Sequence, residues 1–205
     1  MLDDRGQAYT LEGFIGSILI LTAVLFALQS VVITPTTGGT VDRDARDEVR
    51  VGANDMLTLS AESGNLSKLV RYWNGTDAQK RFAYSEGPTV GYSDELPPGD
   101  APRGLLVLLN GTFQDKNGYN VIVAYQDENG SADGGSMTLV RNGFATESGT
   151  VATYAITLYD DQELTASSNT TLKQCDQDGN CNYPVPDAYP NSPVYNVVTV
   201  KVVVW

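Results

Sequence analysis

Residues 5–33 read RGQAYTLEGFIGSILILTAVLFALQSVVI, and the rest of the chain is best read outward from them. A short polar leader, Met1–Gly6, precedes Gln7, and from Phe14 to Ile33 the residues are almost all apolar. About 20 apolar residues carry a helix through the hydrocarbon core of a bilayer, so the stretch predicts a transmembrane helix over residues 7–34. Thr34-Pro35 and Gly38-Gly39 should end it, because proline removes a donor and glycine relaxes the backbone. Glu12 stands where the apolar run begins, a costly place for a carboxylate and usually one with a task. Gly13, Gly16 and Ser17 are small enough to let helices approach closely, and Thr22 and Gln29 are candidates to hydrogen-bond across them. An ordinary secretory signal has a basic start and about 7–15 apolar residues, whereas this leader is acidic and the run is longer. A plain signal-anchor helix has the same length and stays open at this point.

Of the 205 residues, those beyond the helix suffice for one domain with its own core. Net charge is −12, with 25 acidic residues against 13 basic ones and no histidine. A surface this acidic disfavours nucleic acid, whose phosphates require Lys and Arg. Like-charge repulsion opposes compaction in dilute buffer and is screened by salt, which points to a halophile. Without histidine there is no Ser-His-Asp or Cys-His arrangement and no imidazole-ligated metal. The chain carries neither a Gly-rich phosphate loop nor a nucleophile elbow. Acidic pairs at Asp94-Glu95, Asp127-Glu128 and Asp160-Asp161 could in principle serve glycoside chemistry, but charge runs are usually solvated faces. The expectation is a protein that is not an enzyme and takes no cofactor.

Cys175 and Cys181 flank the turn-forming stretch Asp-Gln-Asp-Gly-Asn. A disulfide closing this loop suits an oxidising exterior, with free thiols as the other reading. Two thiols without histidine make a zinc site a poor fit, and Asp176 and Asp178 lack the layout of a calcium loop. Asn-x-Ser/Thr sequons at Asn65, Asn74, Asn110, Asn129 and Asn169 are candidate glycosylation sites. Three of them, Asn74, Asn110 and Asn129, precede glycine and read equally as turn residues.

A second helix is expected after Thr40, with Ala45, Val49, Ala53 and Met56 at helical spacing and Asp42–Arg46 and Arg43–Asp47 pairs four apart. A short helix from Asn65 or Ser67 would carry Leu66, Leu69, Val70 and Trp73. Residues 75–103, rich in Gly, Pro, Ser and Asp, read as a long loop. Strands are expected at Leu105–Leu109, Tyr119–Tyr125 after an Asn117-Gly118 hairpin turn, Met137–Val140, Val151–Tyr159 and Tyr195–Trp205. In the last of these, Val198, Val200, Val202 and Val204 share a face. The resulting expectation is an α+β chain: a long N-terminal hydrophobic helix, transmembrane or filament core, followed by an antiparallel β-sandwich-like head. The segments are a leader over 1–6, the helix over 7–34, a helical stalk and loop over 35–103, and a β-rich extracellular head over 104–205.

The Arg5-Gly6-Gln7 junction, Glu12 and the apolar run resemble the N-terminus of archaeal type IV pilin-like proteins with a class III signal peptide. TPTTGG after the helix, the acidic head and the Val-rich last strand are similar to haloarchaeal members. Glu12 falls one residue later than in bacterial pilins, and Gln7 replaces their aromatic first residue. The resemblance implies cleavage by a prepilin peptidase between Gly6 and Gln7. It implies residence in the cell membrane as a precursor, and then polymerisation with other pilin subunits into an extracellular filament. Glu12 would pair with the new amine of Gln7 on a neighbouring subunit. The head would serve adhesion or surface interaction. The alternative is a membrane-anchored cell-surface binding protein that never polymerises.

Overall fold

The alternation of β-branched and polar residues toward the C-terminus builds the centre of the sheet. In the computed structural model, β4 (Val194–Val204) buries Val198, Val200, Val202 and Val204 on one face, while Lys201 on the other is exposed. The same period sets β1 (Tyr119–Tyr125), β2 (Gly135–Arg141) and β3 (Thr150–Tyr159) beside it. All pairings are antiparallel and the order is β2-β1-β4-β3. The structure describes residues 4–29, 37–74, 81–87, 91–93, 96–113, 117–145, 149–166, 169–178 and 181–205. The chain divides into two units, Met1–Arg43 and Asp44–Trp205, and the sheet belongs to the second.

The inner face of this sheet is covered by helices and aromatic side chains, not by a second sheet. Leu105, Leu106, Leu109 and Phe113 recur at helical spacing and are buried in α4 (Gly104–Phe113), where a strand was expected. Unbranched leucines keep their rotamer freedom in a helix, and the sequence here lacks strand alternation. With that segment helical, too few strands remain for a sandwich, so the β-sandwich expectation is corrected to one four-stranded sheet with a helical cover. The short helix α3 (Asn65–Val70) buries Leu66, Leu69 and Val70 in the same core, as its spacing predicts. Two helices, α1 (Asp4–Gln29) and α2 (Thr37–Glu62), precede α3 in the chain. Within the second unit, α2 contributes Ala53 and Leu57, with Val49 and Met56 packed partly against them; Ala45 is exposed. Asp47 pairs with Arg50 at 3.0 Å, one turn on, where the sequence suggested Arg43.

The stretch read as a long loop supplies part of the core. Phe82 packs edge-on against Trp73 at 5.4 Å between ring centroids, and Tyr92 lies 6.3 Å from Phe82. Tyr92 also adds a short bridge beside β2: its N–H donates to the Leu139 carbonyl, and the Arg141 N–H donates to the Tyr92 carbonyl. Gly91 makes this approach possible, because it holds φ +66° and a Cβ there would stand 2.4 Å from the Leu139 oxygen. Asn117-Gly118 is no hairpin turn: Gly118 and Trp205 exchange two backbone hydrogen bonds, and the indole occupies the space of the missing side chain.

In the first unit, α1 extends over Asp4–Gln29. Among the described residues no helix is long and apolar enough to cross a membrane, which corrects the transmembrane expectation. Glu12 interrupts the apolar character of α1 near its start, and the described helix beyond it, Gly13–Gln29, is shorter than the roughly 20 residues a bilayer core requires. Residues 30–36, which include Thr34-Pro35, lie outside the described residues.

Candidate functional site

The main candidate is the surface of α1. Apolar side chains stand all round this helix with no polar face, a pattern that needs cover from something other than water. Leu11, Phe14, Ile15, Ile18, Leu19, Ile20, Leu21, Val24, Leu25 and Phe26 are each 49–77% exposed. Apart from the backbone of their own helix turns, Gly13 and Gly16 have nothing within 4 Å of where a Cβ would sit, so both leave open notches on the helix. Glu12 and Ser17 are exposed. The Ser17 hydroxyl donates to the Phe14 carbonyl at 2.8 Å, and that of Thr22 to the Ile18 carbonyl at 2.7 Å. These hydroxyl protons are thus bound inside their own helix, and only the oxygen lone pairs face outward. Gly6 and Gln7 lie in the helical backbone of α1.

The disulfide is present. Cys175, on α5 (Leu172–Gln177), bonds to Cys181 with 5.0 Å between Cα atoms. Thr171 starts that helix with a capping box: its hydroxyl accepts the Gln174 N–H, and the Gln174 side chain accepts the Thr171 N–H. Cys175 is buried and Cys181 packs partly against the core, so the bridge pins the loop to the sheet domain.

The sequons divide by environment. Asn129, in the turn between β1 and β2, and Asn169, at φ +77°, are exposed. Asn65 is half-buried at the start of α3 and donates to the Ser63 hydroxyl at 3.0 Å. Asn110 accepts a hydrogen bond from the Tyr119 hydroxyl, which ties α4 to β1. Asn74 is half-buried and its backbone N–H donates to the Arg81 carbonyl. Exposure therefore favours Asn129 and Asn169 as acceptors.

In each described acidic pair one carboxylate has a local partner. Asp127 accepts the backbone N–H groups of Asn129 and Ser131, which hold its carboxyl below the usual range. Asp160 pairs with Lys173 at 2.6 Å. Burial pushes the nearby Asp187 carboxyl up, against the pull of the Tyr189 N–H it accepts. Asp94 and Glu95 lie outside the described residues. Among the described residues no three His, Cys, Asp or Glu side chains group to hold a metal ion. A surface recess of about 230 Å³ lies between Ile122, Arg141 and Phe144, smaller than the roughly 300–1,000 Å³ of small-molecule sites. There the Arg141 guanidinium sits 5.3 Å over the Phe144 ring.

Two features escaped the sequence reading. Asn196 is fully buried and ties three backbone groups: its side chain accepts the Gln126 N–H and donates to the Gln126 and Pro186 carbonyls. The second is the bare edge of β3. An Asn inside a run of valines was the available signal for the first, and the absence of charge or proline in β3 for the second.

Fold and surface together define a two-unit protein: a helical unit with an uncovered apolar surface, and a helix-covered antiparallel sheet. The chain belongs to DUF7288, a family of unknown function, which it matches over residues 5–204. No curated protein and no solved structure matches it.

Proposed function

We propose that this chain is a structural subunit of an archaeal type IV pilus-like surface filament, major or minor, that polymerises through α1 and displays its acidic sheet domain. The observation that carries the reading is the uncovered apolar surface of α1 over residues 10–26. Burying what remains exposed of each large side chain there is worth on the order of 1 kcal/mol, hence roughly 10 kcal/mol gross for the helix. That gain exceeds the lower estimates for the cost of association, about 4 kcal/mol and upward. The junction at Gly6-Gln7 adds to the reading through its resemblance to a class III signal peptide. In the packed filament Glu12 loses water, and a positive partner must offset that cost. The amine created at Gln7 of a neighbouring subunit supplies it, since Arg5 leaves with the leader. Gly13, Gly16 and Ser17 give the close approach.

The test is full-length Glu12→Ala expressed in the native host. Cell-bound protein at the wild-type level with at least a several-fold loss from sheared filaments is the expected outcome. Normal incorporation of the variant into filaments would overturn the role given to Glu12. Absence of the wild-type protein from any filament would overturn the reading itself and favour a surface protein that does not polymerise.

A further inference from the structure

The two edges of the sheet are treated differently. Along β2, the bridge made by Tyr92 takes up backbone groups of Leu139 and Arg141. Among the described residues β3 pairs with β4 alone. At its far end the Tyr159 N–H is taken by the Gln162 side chain and the chain turns away, so the open edge is Thr150–Leu158. An open edge is a row of unpaired donors and acceptors, which proteins normally blunt with charge, proline, a bulge or short length. The strand TVATYAITLY has no charge, no proline and no glycine, and its only irregularity in register falls at Leu158/Tyr159. Val151 is 47% exposed at one end, and Tyr154 and Ile156 are half-buried along the rim of the core.

Charge narrows the choice of partner. The chain carries −12 in all, yet the four strands contain no Asp or Glu, and their only charges are Arg141 and Lys201. Along β3 itself a second copy meets no acidic side chain, and Asp160 and Asp161 follow only where the chain turns away. Paired antiparallel with itself, β3 brings Val, Thr, Ala, Tyr and Ile opposite one another with no like charges facing. Such a contact is self-complementary and closes under a two-fold axis. We infer that β3 is a docking edge for β3 of a second copy of this chain, the two sheets joining into one of eight strands, four from each copy. Backbone hydrogen bonds hold the pair, and burial of the rims of Val151, Tyr154 and Ile156 adds to it. This contact is separate from α1, so a filament subunit and a non-polymerising protein could both form it.

The experiment uses the full chain with its disulfide intact, in which the described cysteines leave no free thiol. Single variants Thr153→Cys and Ala155→Cys place a thiol on the exposed outer side of β3, and Ser136→Cys serves as control on exposed β2. A short bismaleimide reaches both directly opposed and diagonal neighbours. Covalent dimer from at least one β3 variant, several-fold above Ser136→Cys, is expected. It should persist in a Glu12→Ala background, which separates this contact from assembly through α1. Adding Ala155→Lys to Thr153→Cys sets like charges near one another and should cut the yield several-fold. Two outcomes would overturn the inference: β3 thiols that link no better than the control, or a yield that Ala155→Lys leaves unchanged.

Discussion

Asn196 shows how one side chain can hold two loops to a sheet. Fully buried, it satisfies the N–H and carbonyl of Gln126 and the carbonyl of Pro186. Removing a buried side chain of this kind strands its partners, at about 1–3 kcal/mol for each group left unsatisfied. Asn196→Ala should therefore lower stability by about 2–4 kcal/mol, read as a shift in urea midpoint with unchanged slope. A loss below about 0.5 kcal/mol, the size of an ordinary surface substitution, would contradict this role. The buried tyrosines give a second test. Tyr92 donates to the Ala83 carbonyl, Tyr195 to that of Val185 and Tyr183 to that of Val70. Burial pushes all three phenols well above their usual value, and pushes that of Tyr119 up to about 12. The fold thus favours the neutral phenol. This stability is fully present below the unfolded value near 10, and it is lost as pH rises from there through the folded values. In an alkaline titration these four of the 11 tyrosines should ionise only together with loss of the far-ultraviolet circular dichroism signal. Smooth ionisation of all 11 with the fold intact would contradict their burial.

At the scale of elements, α5 and its disulfide are the most exposed to test. The bridge links residues six apart, so the loop it closes is short and its contribution should lie at or below the usual 2–4 kcal/mol. Replacing both Cys175 and Cys181 by Ser should lower the melting temperature by several degrees, and neither native thiol should react with an alkylating agent before reduction. Alkylation of both in unreduced, folded protein would refute the bond. Elements with strong period were readable from the sequence: α3 from Leu66, Leu69 and Val70, and β1, β3 and β4 from alternation. Leu105–Leu109 misled because the run alone is too short to separate helix from strand, and the helical spacing becomes clear only once Phe113 is included. Phe82 and Tyr92 were hidden inside a stretch of turn residues, because two aromatics can join a core through loops. Asn117-Gly118 has hairpin chemistry but spends it on a close approach to Trp205, a long-range contact that local sequence does not carry. The candidate site was readable in part: the apolar run pointed to α1, while the open edge of β3 depended on sheet order.

For the whole molecule, the proposed assembly would give the exposed apolar surface of α1 its cover in other copies of the chain. The sheet domain has its own core and closes its inner face with α3, α4 and the aromatic segment, so it needs no help from α1 to be covered. The chain carries −12 in all, yet the described part of α1 beyond Glu12 and the strand β3 contain no acidic residue. The most direct measurement is the N-terminal mass of this protein in filaments sheared from the native host, set beside that of the protein left in the cells. Filament protein is expected to begin at Gln7, with any form beginning at Met1 confined to the cells. Filaments that lack the protein, or that contain it with residues 1–6 still attached, would contradict it.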